Sequence, residues 1–248
     1  QDPIVSFHVP EQDLHYLLSR TAFAMAHQDA RYFLNAMLWE MSADSLRVVA
    51  TDGHRLATNR SPLRIELQET QRVILPRKGV LELVRLLESA GEQAVEVTLT
   101  PNHLRVVTPQ VVYTSNLFEG QYPDCDKLIP PRGETQLRLS REEFKQALQR
   151  AAILANEKFK AVKLQLGANE LKVLSSNAEH EKTEEVLPVE YQGESLNLAF
   201  NITYLLDILG VLSTDGVVLS LGASGGSVTL GEEGGNEESI FVVMPLTI

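Results

Sequence analysis

The sequence predicts an α+β chain built as a tandem repeat of two domains, each with two helices on one face of antiparallel sheets. Three observations carry this. A strand-cap-helix pattern recurs 130 residues apart, Phe7-His8-Val9-Pro10-Glu11-Gln12-Asp13-Leu14 against Leu137-Arg138-Leu139-Ser140-Arg141-Glu142-Glu143-Phe144. The elements that follow recur in the same order. A Pro/Gly connector, Leu128-Ile129-Pro130-Pro131-Arg132-Gly133, separates the copies. The domains are expected at residues 1–128 and 129–248.

Taken in order, each copy opens on a strand and an acidic helix start. The first helix carries Leu14, Leu17 and Leu18, the second Phe144, Ala147 and Leu148, at the spacing of one buried helix face. Alternating Met37-Trp39-Met41, a turn at Ser42-Ala43-Asp44, and Leu46-Arg47-Val48 read as a hairpin. Val162-Leu164-Leu166, Gly167-Ala168-Asn169 and Leu171-Lys172-Val173 read as its repeat. A second helix is expected from Gly79 to Leu87 in the first copy and from Ile202 to Leu212 in the other. Short strands close each copy.

Among 248 residues, 44% are hydrophobic and 22% charged, which suits globular folding rather than disorder. Acidic residues outnumber basic ones 33 to 22, giving a net charge of −11, so bulk charge does not drive this chain onto nucleic acid. The single cysteine, Cys125, excludes an internal disulfide and a cysteine-based zinc cluster, and fits a reducing, cytoplasmic setting. Its neighbours Asp124 and Asp126 are expected to raise the thiol pKa and suppress nucleophilicity. No apolar run is long enough for a membrane span and no signal-like segment opens the chain. The start at Gln1 without an initiator methionine suggests a missing N-terminal portion.

Motifs for chemistry are sparse. Gly222-Ala223-Ser224-Gly225-Gly226 lacks the lysine of a phosphate-binding loop and reads as a hairpin turn. The histidines have no metal-ligand spacing, and His180 lies on an acidic loop, so neither metal nor cofactor is expected. Two features stand out. Thr51-Asp52-Gly53-His54-Arg55-Leu56 ends a strand in a turn carrying an imidazole and a guanidinium, whereas its repeat, Ser176-Asn177-Ala178-Glu179, has lost that character. The C-terminal Phe241-Val242-Val243-Met244-Pro245-Leu246-Thr247-Ile248 stays apolar almost throughout. It has two readings, a wall of a groove awaiting an apolar partner or a tail folded back onto its own domain.

Ala26-His27-Gln28-Asp29-Ala30-Arg31-Tyr32-Phe33-Leu34-Asn35, the Thr51–Leu56 turn, Pro76-Arg77-Lys78-Gly79, Ala151-Ala152-Ile153-Leu154-Ala155-Asn156-Glu157-Lys158-Phe159 and Val243-Met244-Pro245 together resemble the bacterial sliding clamp, the beta subunit of DNA polymerase III. The resemblance runs through essentially the whole chain. It corresponds to the family's second and third domains, with the first domain absent. It implies a replication processivity factor: a non-enzymatic ring that encircles duplex DNA, helices inward, and tethers a polymerase.

The resemblance also assigns residues. A peptide pocket would draw on Arg31, Leu34, Thr51, Gly53, His54, Arg55, Leu56, Pro123 and Leu128 from the first half. Asn201, Tyr204, Ser227, Val242, Val243, Met244, Pro245 and Leu246 would complete it from the second. Its ligands would be Gln-Leu-x-Leu-Phe-type peptides of DNA polymerase, clamp-loader subunits and repair proteins. Lys127 stands where the best-known members carry arginine, and Thr247 replaces a basic residue beside the final hydrophobe, leaving fewer donors at the pocket rim. Gln28, Tyr32, Arg77 and Lys78 match positions that approach DNA, and Arg141, Lys145 and Gln149 form a polar stripe on the third helix. Contact with duplex DNA would be weak and independent of base sequence. Ile153 and Leu154 match a contact between subunits, the full-length family being homo-oligomeric. Acidic clusters at Glu179, Glu181, Glu184, Glu185 and at Glu232, Glu233, Glu237, Glu238 are expected in loops or hairpin tips, away from DNA. The alternatives are a natural two-domain clamp closing as a trimeric ring and, remotely, an enzyme with a cryptic hydrolytic site at His54 or Asp52.

Overall fold

The computed structural model describes residues 2–89, 91–131, 133, 135–155, 158, 160–222 and 226–247. The chain divides into two compact units, residues 1–126 and 127–248. The first runs β1 (Val5–Pro10), α1 (Glu11–Ser19), β2 (Ala36–Met41), β3 (Ser45–Thr51), β4 (Arg55–Pro62), β5 (Gln71–Pro76), α2 (Arg77–Leu86), β6 (Ala94–Leu99), β7 (His103–Val107) and β8 (Val112–Asn116). The second runs β9 (Thr135–Ser140), α3 (Arg141–Leu154), β10 (Ala161–Gly167), β11 (Glu170–Ser176), β12 (Lys182–Pro188), β13 (Leu196–Asn201), α4 (Ile202–Val211), β14 (Gly216–Leu221), β15 (Val228–Glu232) and β16 (Ile240–Val243). The order of elements is the same in both.

So is the strand pairing. In the first unit β1-β6-β7-β8 and β5-β2-β3-β4 are antiparallel ladders. In the second β9-β14-β15-β16 and β13-β10-β11-β12 repeat them strand for strand. Each helix also enters by one device. The first helical N–H, which has no partner inside its helix, donates to a backbone carbonyl outside it: Glu11 to Gln93 (2.8 Å), Arg77 to Asn35 (2.9 Å), Arg141 to Asp215 (2.8 Å) and Ile202 to Lys160 (2.8 Å). The two N-terminal helices follow prolines, Pro10 and Pro76, whose fixed φ suits a helix entry. The other two follow side-chain caps, Ser140 accepting from the Glu143 N–H and Asn201 from the Thr203 N–H.

The helices pack on each other and on the strands of their own unit. Leu14, Leu17, Leu18, Trp39, Val80, Leu83 and Leu87 are buried in the first unit, as are Phe144, Ala147, Leu148, Phe200, Leu205, Ile208 and Leu209 in the second. Leu14 and Phe144, which align in the repeat, are each fully buried, so the same core slot takes an aliphatic side chain in one copy and an aromatic one in the other. No helix among the described residues is long and apolar enough to cross a membrane.

Several expectations need correction. Helix α2 begins at Arg77 rather than Gly79, because Pro76 at φ −57° already sets the entry and the Asn35 carbonyl takes the Arg77 N–H. Glu184 and Glu185 do not sit in a loop. They lie on β12, where alternation sends Glu185 to Arg150 of α3 (2.7 Å) and Glu184 to Lys172 of β11 (3.4 Å). Strand β2 is buried along nearly its whole length rather than on alternate positions. The Gly222–Gly226 stretch connects paired strand ends, Leu221 opposite Val228. Residues 223–225 of that stretch, together with Arg132, Asn156, Glu157, Phe159 and Ile248 of the segments named above, lie outside the described residues.

Candidate functional site

The Thr51–Leu56 segment is a tight β3–β4 connection closed by side chains. The Asp52 carboxylate accepts from the His54 N–H (2.8 Å) and the Arg55 N–H (3.0 Å) through one oxygen, and from Arg55 Nε (3.2 Å) through the other. The Thr51 hydroxyl donates to the Arg55 carbonyl (2.6 Å) and accepts from the Gly53 N–H (3.1 Å). Aspartate and threonine are suited to this because a short side chain reaches back to the backbone two or three residues on. Gly53 sits at φ +90°, a left-handed conformation that side-chain-bearing residues rarely adopt, and a Cβ there would lie 3.3 Å from the Arg31 guanidinium. The result is a rigid corner with His54 exposed at its tip.

Arg31 frames that corner. It holds Asp29 through two nitrogens (3.0 and 2.9 Å) and reaches the Asp52 carbonyl (3.4 Å). The hydrogen bonds from Arg31 keep the Asp29 carboxyl down at about 2. Above the usual carboxylate range the pair is intact, and it opens only as pH falls toward 2. Arg55 lies over the Phe23 ring, 5.4 Å from its centroid. Leu34 and Leu56 are buried, and Pro123 is half-buried.

In the second unit, Val242 and Val243 end β16 and are buried, whereas Met244, Pro245 and Leu246 are half-buried. The Leu246 N–H donates to the Ala199 carbonyl on the edge of β13 (2.7 Å). The tail therefore folds back onto its own unit at Leu246 and keeps Met244–Leu246 partly open. Asn201 caps α4, and Tyr204 follows on that helix's first turn, half-buried like Ser227 and Leu128.

The expected DNA-facing residues differ in how free they are. Tyr32 is 51% exposed, with its hydroxyl donating to the Glu119 carbonyl (3.0 Å) and its ring edge-on to Phe33 and Phe118. Gln28 is exposed at φ 58°. Arg77 turns inward to the Met25 and Ala26 carbonyls (3.2 and 3.4 Å), and burial, then the charge of Arg55, pushes its guanidinium below its ordinary pKa. Arg141 is likewise spent on the Thr214 carbonyl (3.0 Å). Lys78 and Gln149 are exposed and Lys145 is half-exposed. Ile153 is 80% exposed near the end of α3, and Leu154 is half-buried.

Sequence reasoning missed the structural role of Asp52, named only as a remote catalytic candidate, and of Tyr122. The Tyr122 hydroxyl accepts from the Thr51 N–H (3.1 Å), so the 119–126 segment braces the corner from behind. No periodic pattern marks that segment. Cys125 is buried, and its thiol is pushed up to about 11, by burial first and by Asp126 and Asp124 second, with Arg47 opposing. The neighbouring carboxylates are thus the smaller cause. At pH 8 Cys125 is expected to react with iodoacetamide far more slowly than a free thiol, on the order of a hundredfold from ionisation alone. Mass spectrometry of a timed alkylation checks this, and native labelling as fast as in urea would contradict it. No group of His, Cys, Asp and Glu suited to a metal ion occurs among the described residues.

Two copies of one two-helix, two-sheet unit, one of them bearing a braced polar corner, define a tandem-repeat α+β protein. The family model of the DNA polymerase III beta subunit central domain matches residues 8–124, and that of its C-terminal domain residues 126–247. The beta sliding clamp of Pseudomonas putida is 44% identical over 238 residues, covering 96% of this chain and 64% of that protein. The Escherichia coli beta sliding clamp is 40% identical, covering 98% and 66%. A crystal structure of the Pseudomonas aeruginosa DNA polymerase sliding clamp superposes at a TM-score of 0.96 with 41% identity, over all of this chain and 68% of that one. A Pseudomonas aeruginosa sliding clamp bound to griselimycin matches at 0.94, also at 41% identity, over all of this chain and 67% of that one. The chain belongs to the DNA polymerase III beta subunit family, and spans about two thirds of the length of these relatives.

Proposed function

We propose that this chain acts as the central and C-terminal portion of a DNA sliding clamp, a non-catalytic tether that docks short linear peptides of replication and repair proteins. The observation that carries the reading is the braced Thr51–Leu56 corner. The equivalent β11–β12 turn is also capped, Asn177 accepting from the Glu179 and Glu181 N–H groups (3.0 Å each) with His180 at φ 64°, but it lacks the Gly-His-Arg sequence, and the bonds from Tyr122 and Arg31 are described for the first unit's corner.

In this reading the corner and the half-buried Met244–Leu246 tail serve one peptide, as the resemblance assigns. By that assignment the first unit supplies Arg31 and His54 as polar contacts beside the buried Leu34 and Leu56, and the second unit supplies Val242 and Val243. Met244 supplies an adaptable thioether wall that different partners can use. Burial of two peptide side chains contributes about 1.5–3 kcal/mol each, offset by the ordering of a flexible peptide, which gives affinity of about tens of micromolar at best. Exchange among partners follows from such weak docking. A hydrolytic role for the corner is disfavoured, because the Asp52 carboxylate is committed to two backbone N–H groups and Arg55.

The DNA-facing role rests on charge left over after internal pairing. Arg31, Arg47, Arg55, Arg72, Arg85 and Arg150 all hold carboxylates. Lys78, Lys145 and the polar Gln28 and Gln149 remain, a surface suited to loose, sequence-independent contact with phosphates. Isothermal titration with a Gln-Leu-x-Leu-Phe peptide tests the docking site. Asp52→Ala is expected to weaken binding at least tenfold, by releasing two N–H groups and Arg55 together, while circular dichroism shows the fold kept. Wild-type affinity in that variant would remove the corner from the site.

A further inference from the structure

The internal repeat allows one face to be compared with its own copy. In the first unit Leu38, Val49 and Ile74 are cross-strand neighbours on one side of β5-β2-β3-β4, as are Glu40, Arg47 and Arg72. The 119–126 segment lies over that side. The Phe118 N–H donates to the Ile74 carbonyl (2.9 Å), Tyr122 accepts from Thr51, and Asp126 takes Arg47 (2.6 Å). Together they leave a cavity of about 730 Å³ lined by Leu38, Val49 and Ile74 below and by Tyr122, Pro123 and Cys125 above. Leu38, Val49 and Ile74 are 8%, 0% and 3% exposed.

Register identifies the same side in the second unit. Lys163 lies opposite Leu174 and Ala199, as Leu38 lies opposite Val49 and Ile74, and Gln165 lies opposite Lys172 and Asn197. Even the cross-strand bond recurs, Gln165 to Asn197 (2.8 Å) where the first unit has Arg72 to Glu40 (2.7 Å). Leu246 donates to the Ala199 carbonyl where Phe118 donates to that of Ile74. Here, however, the face lies open as a groove of about 730 Å³, edged by Leu246 and Thr247 and floored by Lys163, Leu174, Ser176, Lys182 and Glu184, the last paired with Lys172. Lys163, Ser176 and Lys182 are exposed.

Both faces carry more basic than acidic residues, Arg47 and Arg72 with Glu40 in the first unit and Lys163, Lys172 and Lys182 with Glu170 and Glu184 in the second. The covering segment of the first unit brings Asp124 and Asp126 to that face, where Asp126 pairs with Arg47. The open groove carries Lys163 and Lys182, neither with a carboxylate partner among the described residues, and Lys172, which shares Glu170 and Glu184 at 3.7 and 3.4 Å. Apolar contact comes from Leu174 and Ala161.

We propose that this groove on β13-β10-β11-β12 is a docking site for an extended acidic peptide segment of a partner protein, laid across the second unit as residues 119–126 are laid across the first. An aromatic or proline side chain would rest on Leu174, and acidic residues would meet Lys163 and Lys182. The site uses residues of the second unit alone; it shares Leu246 with the pocket proposed above but rests on Lys163, Leu174 and Lys182, which that reading does not use.

The probe is an acetylated peptide with the sequence of residues 120–127 and serine in place of cysteine, titrated into the whole ¹⁵N-labelled chain at low salt. The expected result is amide shift changes at Lys163, Leu174 and Lys182 with a Kd on the order of 1 mM or tighter. Binding should weaken at least tenfold in a Lys163→Glu, Lys182→Glu double variant, and equally when the peptide's aspartates become asparagines, with further loss at high salt. The double variant should bind the Gln-Leu-x-Leu-Phe peptide as the parent does. Shifts absent, confined to the first unit, indifferent to charge reversal, or abolished by competition from the Gln-Leu-x-Leu-Phe peptide would each overturn the proposal.

Discussion

Phe144→Ala is expected to destabilise the second unit by about 3–5 kcal/mol, enough to unfold a large fraction of it at modest denaturant. Phe144 is fully buried on α3, which packs on β9, β10, β11 and β12. The experiment has a built-in separation of signals. Trp39 is the sole tryptophan and belongs to the first unit, so its fluorescence reports that unit, whereas far-UV circular dichroism reports both. In the variant the dichroism transition should begin at lower urea than the fluorescence transition, breaking their coincidence. The aligned Leu14→Ala should act in the opposite sense, moving the fluorescence first, by about 2–5 kcal/mol. A loss under about 1 kcal/mol for Phe144→Ala would mean that the ring is not a core side chain.

The pairing of Leu14 with Phe144 also shows why the fold was legible. Helix periodicity and strand alternation are set by which side chains must leave water, and both copies solve that problem with the same spacing. Hydrophobic patterning therefore located α1, α3, α4 and both hairpins. It placed the start of α2 two residues late, because the signal there is conformational rather than apolar: Pro76 sets φ, and a backbone carbonyl accepts the first N–H. Glu184 and Glu185 were read as loop residues because two adjacent carboxylates look solvated. In a strand they face opposite sides and each finds a cation, which depends on pairing partners distant in sequence.

The candidate site was less legible for a related reason. The Thr51–Leu56 turn stood out by composition, and its asymmetry between copies was visible. What stiffens it was not, since Tyr122 and Arg31 come from segments without periodicity and reach the turn only through the fold. Similarly, Arg77 and Arg141 look like phosphate-seeking cations in the sequence. In the structure each holds backbone carbonyls, so the positive surface is thinner than a count of arginines implies.

Removal of Met244–Ile248 is expected to abolish detectable binding of the Gln-Leu-x-Leu-Phe peptide while the chain stays folded. The fold should survive because the deletion spares the strand: Val242 and Val243 are buried and remain, and β16 keeps its ladder to β15. Among the described contacts of the tail, the main backbone loss is the bond from Leu246 to the Ala199 carbonyl, a cost of about 0.5–1.5 kcal/mol that a melting curve can resolve. Binding should suffer much more. A peptide anchored by two apolar side chains has little affinity beyond what their burial contributes. Losing the Met244 and Leu246 surfaces costs about 1.5–3 kcal/mol for each contact removed, so a complex of about tens of micromolar moves to millimolar or weaker. Calorimetry separates the outcomes, with circular dichroism as the control for folding. Retention of wild-type affinity in the folded, truncated chain would refute the tail as a wall of the peptide site. It would leave the acidic-segment groove to be judged on its own lysines.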